Sequence, residues 1–141
     1  ARILSPLPPD SASRGQYADL FLRMSRKIVT LQKPDGSWPP SLLDPRNDTP
    51  LETSGTGFFT FGLAWGVKTG LLKDDMYRRA AERGWSALAR AVRPDGKLGF
   101  VQQQDAEPNA VRAEDTQPFG VGAFLLAGSA MVDLTLHRDR R

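Results

Sequence analysis

The stretch that decides the fold is residues 51–70, which read LETSGTGFFTFGLAWGVKTG. Glu52, Thr53 and Ser54 have the side chains of a helix N-cap, and the apolar run that follows them leaves almost no polar face. A helix that is apolar all round is expected to be buried all round. We therefore predict a central helix over residues 53–69, ended by Gly70, with other helices packed around it.

An amphipathic helix is predicted on each side of this central helix. Over residues 13–31, apolar side chains fall at spacings of three and four while Arg and Lys occupy the opposite face. Asp74 is the predicted N-cap of a second such helix, which runs to about Val92. Both helices are therefore expected to lie on the outside of the domain, with one face in water.

A second apolar helix is predicted near the end of the chain. It covers about residues 117–136, has Pro118 in its first turn and is apolar on most sides. A short strand is predicted over residues 98–102, with a polar loop between it and the helix.

The chain contains two copies of one unit. KPDG at residues 33–36 recurs 60 residues later as RPDG at 93–96, and ETS at 52–54 recurs 62 residues later as EDT at 114–116. Each unit is an amphipathic helix, a turn, a polar loop, an acidic cap and an apolar helix. Alternating half-exposed and buried helices are typical of an α/α toroid. The predicted fold class is all-α: two α/α hairpins that form part of an (α/α)6 toroid, whose closed ring takes roughly 300 residues.

One helical domain is predicted, at 14–136, between an irregular lead-in at 1–13 and a basic tail at 137–141. The formal net charge of +3 comes from 19 Lys and Arg against 16 Asp and Glu, and much of the excess lies in that tail. Because the basic residues do not share one face with aromatic residues, nucleic acid is not an expected partner. No uncharged apolar run reaches the roughly 18 residues of a membrane span, so no membrane association is expected. Neither end resembles a signal peptide.

The available side chains limit the chemistry of the domain. The chain has no cysteine and a single histidine, His137, which lies in the tail. Disulfides, thiolate metal sites and a Ser-His-Asp triad are therefore excluded within this chain. We expect no metal and no cofactor.

Four segments together resemble the C-terminal half of the unsaturated rhamnogalacturonyl hydrolases, glycoside hydrolase family 105. They are LQKPDGSW (31–38), LETSGTGFFTFGLAWGVKTGLL (51–72), DGKLGFVQQ (95–103) and DTQPFGVGAFLLAGS (115–129). The resemblance spans about residues 14–133, and its specificity comes from the combination of the four segments.

The resemblance implies an (α/α)6 barrel that hydrolyses the unsaturated uronic acid end left on oligosaccharides by polysaccharide lyases, as in pectin and rhamnogalacturonan degradation. In this family an Asp acts as general acid/base and hydrates the double bond. The resemblance places that Asp in the N-terminal half of the barrel, for which this chain has no counterpart. The chain is therefore expected to be a fragment that is inactive alone. A soluble protein of the bacterial cytoplasm or periplasm is the location that the resemblance implies.

The site is predicted where the two apolar helices begin. In a toroid both starts open at the same end of the central cavity. A sugar site requires an aromatic platform and a few fixed polar groups, and a uronate also favours an arginine. The candidate substrate-binding residues, which would contact an oligosaccharide, are Trp38, Arg46, Glu52, Thr53, Ser54 and Asp115. No catalytic residue is assigned.

Structural roles compete with these assignments. Helix capping alone explains an acidic residue at Glu52 or Asp115. Trp38 is equally suited to closing the wall of the toroid. Arg46, on a Pro-rich loop, is most simply solvated.

Two other functions stay open at this point. Gln32, Gly36 and Trp38 have the Q-x-x-x-G-x-W spacing of the QW motif of triterpene cyclases, another α/α architecture. The other alternative is a non-catalytic interaction module, in which the uncovered edge of the partial ring docks a partner half-barrel or a second copy of the chain.

Overall fold

The computed structural model describes residues 1–44, 51–104 and 111–138. Over these residues the chain is helical, with a short 3-10 helix at Arg2–Leu4 before the four α-helices. The α-helices are α1 (Ala12–Thr30), α2 (Thr53–Lys68), α3 (Asp75–Arg90) and α4 (Pro118–Arg138). Each predicted helix is present, with ends within two residues of the predicted ones. The all-α class is therefore confirmed.

The strand predicted over residues 98–102 is wrong. In the described part of the chain, extended pairing is confined to two isolated bridges, Trp38 with Glu52 and Val92 with Leu98. Residues 99–101 instead bond to three residues in two different segments, because their amide groups donate to the Ala91, Arg112 and Asp115 carbonyls in turn. A segment that changes partner at every residue builds no ladder.

The repeated PDG turns have the predicted geometry in both copies. The Gly36 amide donates to the Lys33 carbonyl and the Gly96 amide to the Arg93 carbonyl, each at 2.9 Å. Both glycines have positive φ, +91° and +81°, which explains the glycine at this position. The first turn packs on α3, where a side chain at Gly36 would collide with the Arg83 carbonyl, whereas the space around Gly96 is open.

The two apolar helices, α2 and α4, lie side by side and parallel. Near their N-termini Gly57 packs on Ala123 so closely that an added Cβ would lie 2.9 Å from the Ala123 Cβ. In the C-terminal halves of the two helices, Lys68 Nζ lies 2.5 Å from Asp133 Oδ2. The two contacts occur in the same order along both helices, so the helices run in the same direction. The outer helix α3 packs on α2 through a short connection.

The prediction that α2 is buried all round is wrong for this chain, and both apolar helices have the uncovered faces expected of a partial ring. Phe58 on α2 is 47% exposed, and Leu125 and Val132 on α4 are 63% and 59% exposed. On α1, Leu20 and Met24 of the expected inner stripe are also exposed. The physical reason is geometric: two hairpins of a ring cover one another, and each end of the row leaves an apolar flank without a neighbour.

Residues Pro118–Leu136 are long and apolar enough for a membrane span by length and composition, with a mean hydropathy of 1.7. The core helix of a soluble protein has the same properties. One side of α4 packs on α2, and Ala123 and Ala127 on that side are fully buried.

Candidate functional site

The N-termini of α2 and α4 lie at the same end of the structure, because the two helices are parallel. The segment 99–102 passes between them. The Val101 amide donates to the Asp115 carbonyl at 2.9 Å, and the Gln102 amide donates to Glu52 Oε1 at 3.2 Å. We call this end, formed by residues 52–55, 99–102 and 112–118, the rim.

Glu52 is the buried N-cap of α2, with 4% of its surface exposed. Its carboxylate accepts four hydrogen bonds, from the Ser54 amide and hydroxyl, the Gly55 amide and the Gln102 amide, at 2.7 to 3.2 Å. Three come from its own helix start, and the fourth ties the 99–102 segment to it. Glu52 therefore supplies the acceptors for partly buried amide groups, two of which lie at a helix start and have no partner within the helix.

Thr53 and Phe100 hold the other side of the rim together. The Thr53 amide donates to the Phe100 carbonyl at 3.0 Å, and the fully buried Thr53 hydroxyl lies 2.9 Å from the Gly99 carbonyl. Phe100 has a positive φ of +58°, a costly conformation for a residue with a Cβ. Its carbonyl and its amide are both bonded, the amide to the Arg112 carbonyl, so the surrounding contacts maintain this conformation.

The prediction that Asp115 caps α4 is wrong. Its carboxylate accepts the Arg112 amide at 2.7 Å, and its own amide donates to the Arg112 carbonyl at 3.1 Å. Both bonds close a turn before the helix. The Gln117 carbonyl accepts the first amide bonds of α4, which begins at Pro118. The acidic triplets of the two units thus occupy different places, because Thr116 and Gln117 separate Asp115 from α4 whereas Glu52 directly precedes α2.

Trp38 lies in the hydrophobic core, with 1% of its surface exposed. Its indole Nε1–H donates to the Ile28 carbonyl at 2.8 Å, and its ring packs edge-on against Phe59 at 5.5 Å between centroids. Its amide donates to the Thr56 hydroxyl, which in turn donates to the Glu52 carbonyl. In this structure Trp38 therefore supports the start of α2 from behind and presents no ring face to solvent.

Of the remaining candidates, Ser54 and Asp115 are half-buried at the rim, and Arg46 lies outside the described residues. Sequence reasoning did not select Arg112, an exposed cation on the turn that Asp115 closes. Its position close before the second acidic triplet was the signal available for it. The rim thus combines an exposed guanidinium, a carboxylate and a hydroxyl within one network of backbone bonds.

The QW-like residues have a structural role. The Gln32 side-chain Nε2 donates to the Gly36 and Ala80 carbonyls, at 2.9 Å each, and so ties the first PDG turn to α3. Among the residues that the structure describes, no group of three His, Cys, Asp or Glu side chains is arranged to hold a metal ion. The rim has the groups for binding a polar ligand, and the carboxylates of Glu52 and Asp115 are bonded to the protein.

Comparison with known proteins gives a consistent picture. Residues 1–135 match the profile of Glycosyl Hydrolase Family 88. Two unsaturated 3S-rhamnoglycuronyl hydrolases, from Alteromonas sp. and Formosa agariphila, are each 44% identical to the chain. The alignments cover 92% and 95% of this chain but 32% and 36% of those proteins. The chain thus spans about a third of the length of these curated relatives.

Solved structures confirm the predicted fold. A glycosyl hydrolase family 88 protein from Bacteroides vulgatus is 37% identical, with a TM-score of 0.88 over 94% of this chain and 39% of that protein. A possible member of the GH105 family from Salmonella enterica is 20% identical, with a TM-score of 0.77 over 93% of this chain and 35% of its own, and at that identity the likeness shows the fold alone. Together with the family match, these likenesses confirm the partial α/α toroid and the resemblance found in the sequence.

Proposed function

Because the chain belongs to glycosyl hydrolase family 88, we propose that it supplies part of the sugar-binding rim of a hydrolase acting on unsaturated uronic acid oligosaccharides. The names of its relatives, unsaturated 3S-rhamnoglycuronyl hydrolases, support this substrate class. Family membership favours this function over the triterpene-cyclase alternative. The degradation of pectin, rhamnogalacturonan or a related polysaccharide is the process to which it would contribute.

The observation that carries the proposal is the shared end of α2 and α4. Parallel inner helices bring Ser54 and Asp115 to the same side of the molecule, and Arg112 is exposed beside them. A guanidinium and a helix start both favour an anionic group such as a uronate carboxylate. A hydroxyl and a carboxylate supply hydrogen-bonding partners for sugar hydroxyls.

Within this rim, we assign two kinds of role. Ser54, Asp115 and Arg112 are proposed to contact the sugar, together with Arg46, the candidate on the loop before α2. Glu52, Thr53 and Trp38, the buried candidates, are proposed to position that surface and not to touch the ligand. The hydrogen bond that the Gln102 amide donates to Glu52 supports this division, since it fixes the position of segment 99–102 relative to α2.

The general acid/base Asp is proposed to lie outside this chain. A general acid/base must be within hydrogen-bond reach of the proton that it transfers. The Glu52 carboxylate is surrounded by four protein donors, and the Asp115 carboxylate accepts the Arg112 amide. Both are thus better suited to holding structure or orienting a ligand than to transferring a proton.

The test combines turnover with binding. The purified chain is mixed with an unsaturated uronyl disaccharide, and the ultraviolet absorbance of the double bond is followed. We expect no loss of absorbance, but saturable binding by calorimetry that Ser54→Ala and Arg112→Gln each weaken by about three- to tenfold, the effect of one lost polar contact. The controls are Ser13→Ala and Arg26→Gln, exposed positions on α1.

Three results would contradict the proposal. Turnover by the chain alone, abolished by Glu52→Gln or Asp115→Asn with the helical content unchanged, would show that the catalytic acid is present here. Equal losses in rim and control variants would show that the rim does not bind the sugar. The absence of saturable binding would favour the non-catalytic interaction module over the hydrolase rim.

A further inference from the structure

A polar cleft of about 500 Å³ lies on the outer side of the domain, between the first PDG turn and α3. Three arginines of α3, Arg79, Arg83 and Arg90, line it together with Glu82 and Asp35. The spacing along α3 puts the three arginines on one face of the helix. None of these residues belongs to the rim, and the amphipathic pattern of α3 predicts only that this face is solvated.

Two of the three guanidinium groups are held in place by the turn. Arg83 Nη2 donates to the side-chain oxygen of Gln32, whose amide nitrogen is itself bonded to the Gly36 and Ala80 carbonyls at 2.9 Å. Arg90 Nη2 donates to the Asp35 carbonyl at 2.6 Å. Each guanidinium carries five N–H donors, and these contacts use one donor of each. The rest of each fork is therefore free to bind a ligand in a fixed orientation.

The acidic groups of the cleft leave this cationic character in place. Asp35 Oδ1 accepts the Ser37 amide and hydroxyl, at 2.9 and 2.7 Å, so this carboxylate is directed into its own turn. Burial raises the pKa of Asp35, but the Ser37 hydrogen bonds and the charges of Lys33 and Arg90 together lower it below its ordinary value. Glu82 is the remaining carboxylate of the cleft, and a carboxylate accepts hydrogen bonds from sugar hydroxyls.

We propose that this cleft is a second saccharide-binding site, in which Arg83 and Arg90 bind a carboxylate or sulfate ester and Glu82 accepts the hydroxyls of the same or the adjacent sugar ring. The choice of an acidic saccharide rests on the proposed function. A site on the outer face would hold the polymer from which the substrate oligosaccharides are released, and would raise its concentration near the enzyme. Two oxygens of a carboxylate or of a sulfate ester match the guanidinium fork in two parallel hydrogen bonds, which distinguishes these anions from neutral sugars.

The test uses the 141-residue chain and saturated ligands, which lack the unsaturated uronyl end of the substrates proposed for the rim. Binding of a saturated uronate trisaccharide, a sulfated trisaccharide, a neutral trisaccharide and inorganic sulfate is measured by calorimetry. The cleft variant is Arg83→Gln with Arg90→Gln. The matched control is Arg23→Gln with Arg26→Gln, which removes the same charge from the exposed face of α1. Asp115→Asn serves as the rim variant.

We expect the acidic trisaccharides to bind at least tenfold more tightly than the neutral one, and the cleft variant to lose at least tenfold while the control variant loses less than twofold. Any loss in Asp115→Asn should be smaller than the loss in the cleft variant. Raising the salt concentration should weaken binding, since the site is exposed. Comparison of the uronate with the sulfated ligand shows which oxyanion is preferred, and either preference supports the proposal.

Several outcomes would overturn it. Equal losses in the cleft and control variants would mean that only net charge matters. Losses confined to Asp115→Asn would leave the rim as the binding site and the proposed function intact. Inorganic sulfate binding as tightly as the trisaccharides would reduce the cleft to a simple anion site. Helical content and melting temperature are measured for each variant to check that it folds. If the double variant fails to fold, Arg83→Lys is used in its place: it keeps the charge but not the guanidinium fork, and it should also lose affinity.

Discussion

The Gln102 amide donates to Glu52 Oε1 at 3.2 Å across 50 residues of sequence. This bond joins the start of the first inner helix to the segment that leads into the second. Glu52 therefore caps α2 and also holds segment 99–102 in place against the start of α2. The stability of the rim should therefore depend on this one buried carboxylate.

Glu52→Gln is expected to lower the free energy of unfolding by about 1–3 kcal/mol, because one carboxylate oxygen becomes an NH2 group that faces a protein donor. Urea denaturation monitored by circular dichroism measures this change. Glu114→Gln, at the exposed counterpart position in the second unit, should change stability by less than about 0.5 kcal/mol. Equal effects of the two substitutions would contradict the assigned role of Glu52.

Gly57→Ala and Gly62→Ala form a matched pair on α2. An added Cβ at Gly57 would lie 2.9 Å from both the carbonyl carbon and the Cβ of Ala123, whereas the space at Gly62 is open. We expect Gly57→Ala to destabilise by about 1–3 kcal/mol through overpacking. Gly62→Ala should stabilise by about 0.5–1 kcal/mol through helix propensity. Thermal melts of both variants measure the change in melting temperature. Changes of the same sign in the two variants would refute the close parallel packing of α2 and α4.

The pKa of Asp35 is lowered in the folded chain from an ordinary value of 3.8, so its ionised form stabilises the first PDG turn. A lowered pKa means that the unfolded chain binds the proton more tightly, so this contribution is present above about pH 4 and is lost as the pH falls through the folded pKa. Asp35→Asn should therefore lower stability at pH 6 and have less effect below the ordinary pKa. Urea titrations at several pH values test this, and a difference that is independent of pH would contradict it.

The uncovered flanks of the two-hairpin layer predict self-association of the isolated chain. Leu125 and Val132 of α4 are each more than half exposed, and they lie on the same flank of that helix. Burial of such side chains contributes roughly 25 cal/mol per Å² of apolar surface, which favours association. Leu125→Lys with Val132→Lys should shift sedimentation towards a monomer, whereas Ala89→Lys on exposed α3 should not. A wild-type chain that stays monomeric at high concentration would refute the prediction.

The sequence by itself determined the elements and their repetition. Amphipathic and apolar patterns are local properties of a helix, so the four helices followed from spacing alone. The PDG turns followed equally, since a positive φ selects glycine within four residues. Glu52 was recognisable as a cap because its helix bonds lie within three residues.

Only the tertiary structure decided what those elements face. Trp38 lies in the core, where its indole donates to the Ile28 carbonyl. Asp115 forms a turn with Arg112 and does not cap α4. The Trp38 contact depends on groups that packing brings together. The Arg112–Asp115 bond is local, but the Phe100 and Val101 amides, from an earlier segment, bond the Arg112 and Asp115 carbonyls and so hold this turn. The same holds for the arginine cleft, since its fixed guanidiniums depend on a turn that lies about 50 residues earlier. The exposed flanks have a related cause. The apolar pattern of a helix predicts that its surface will be buried, but which sides are buried depends on the helices that pack against it.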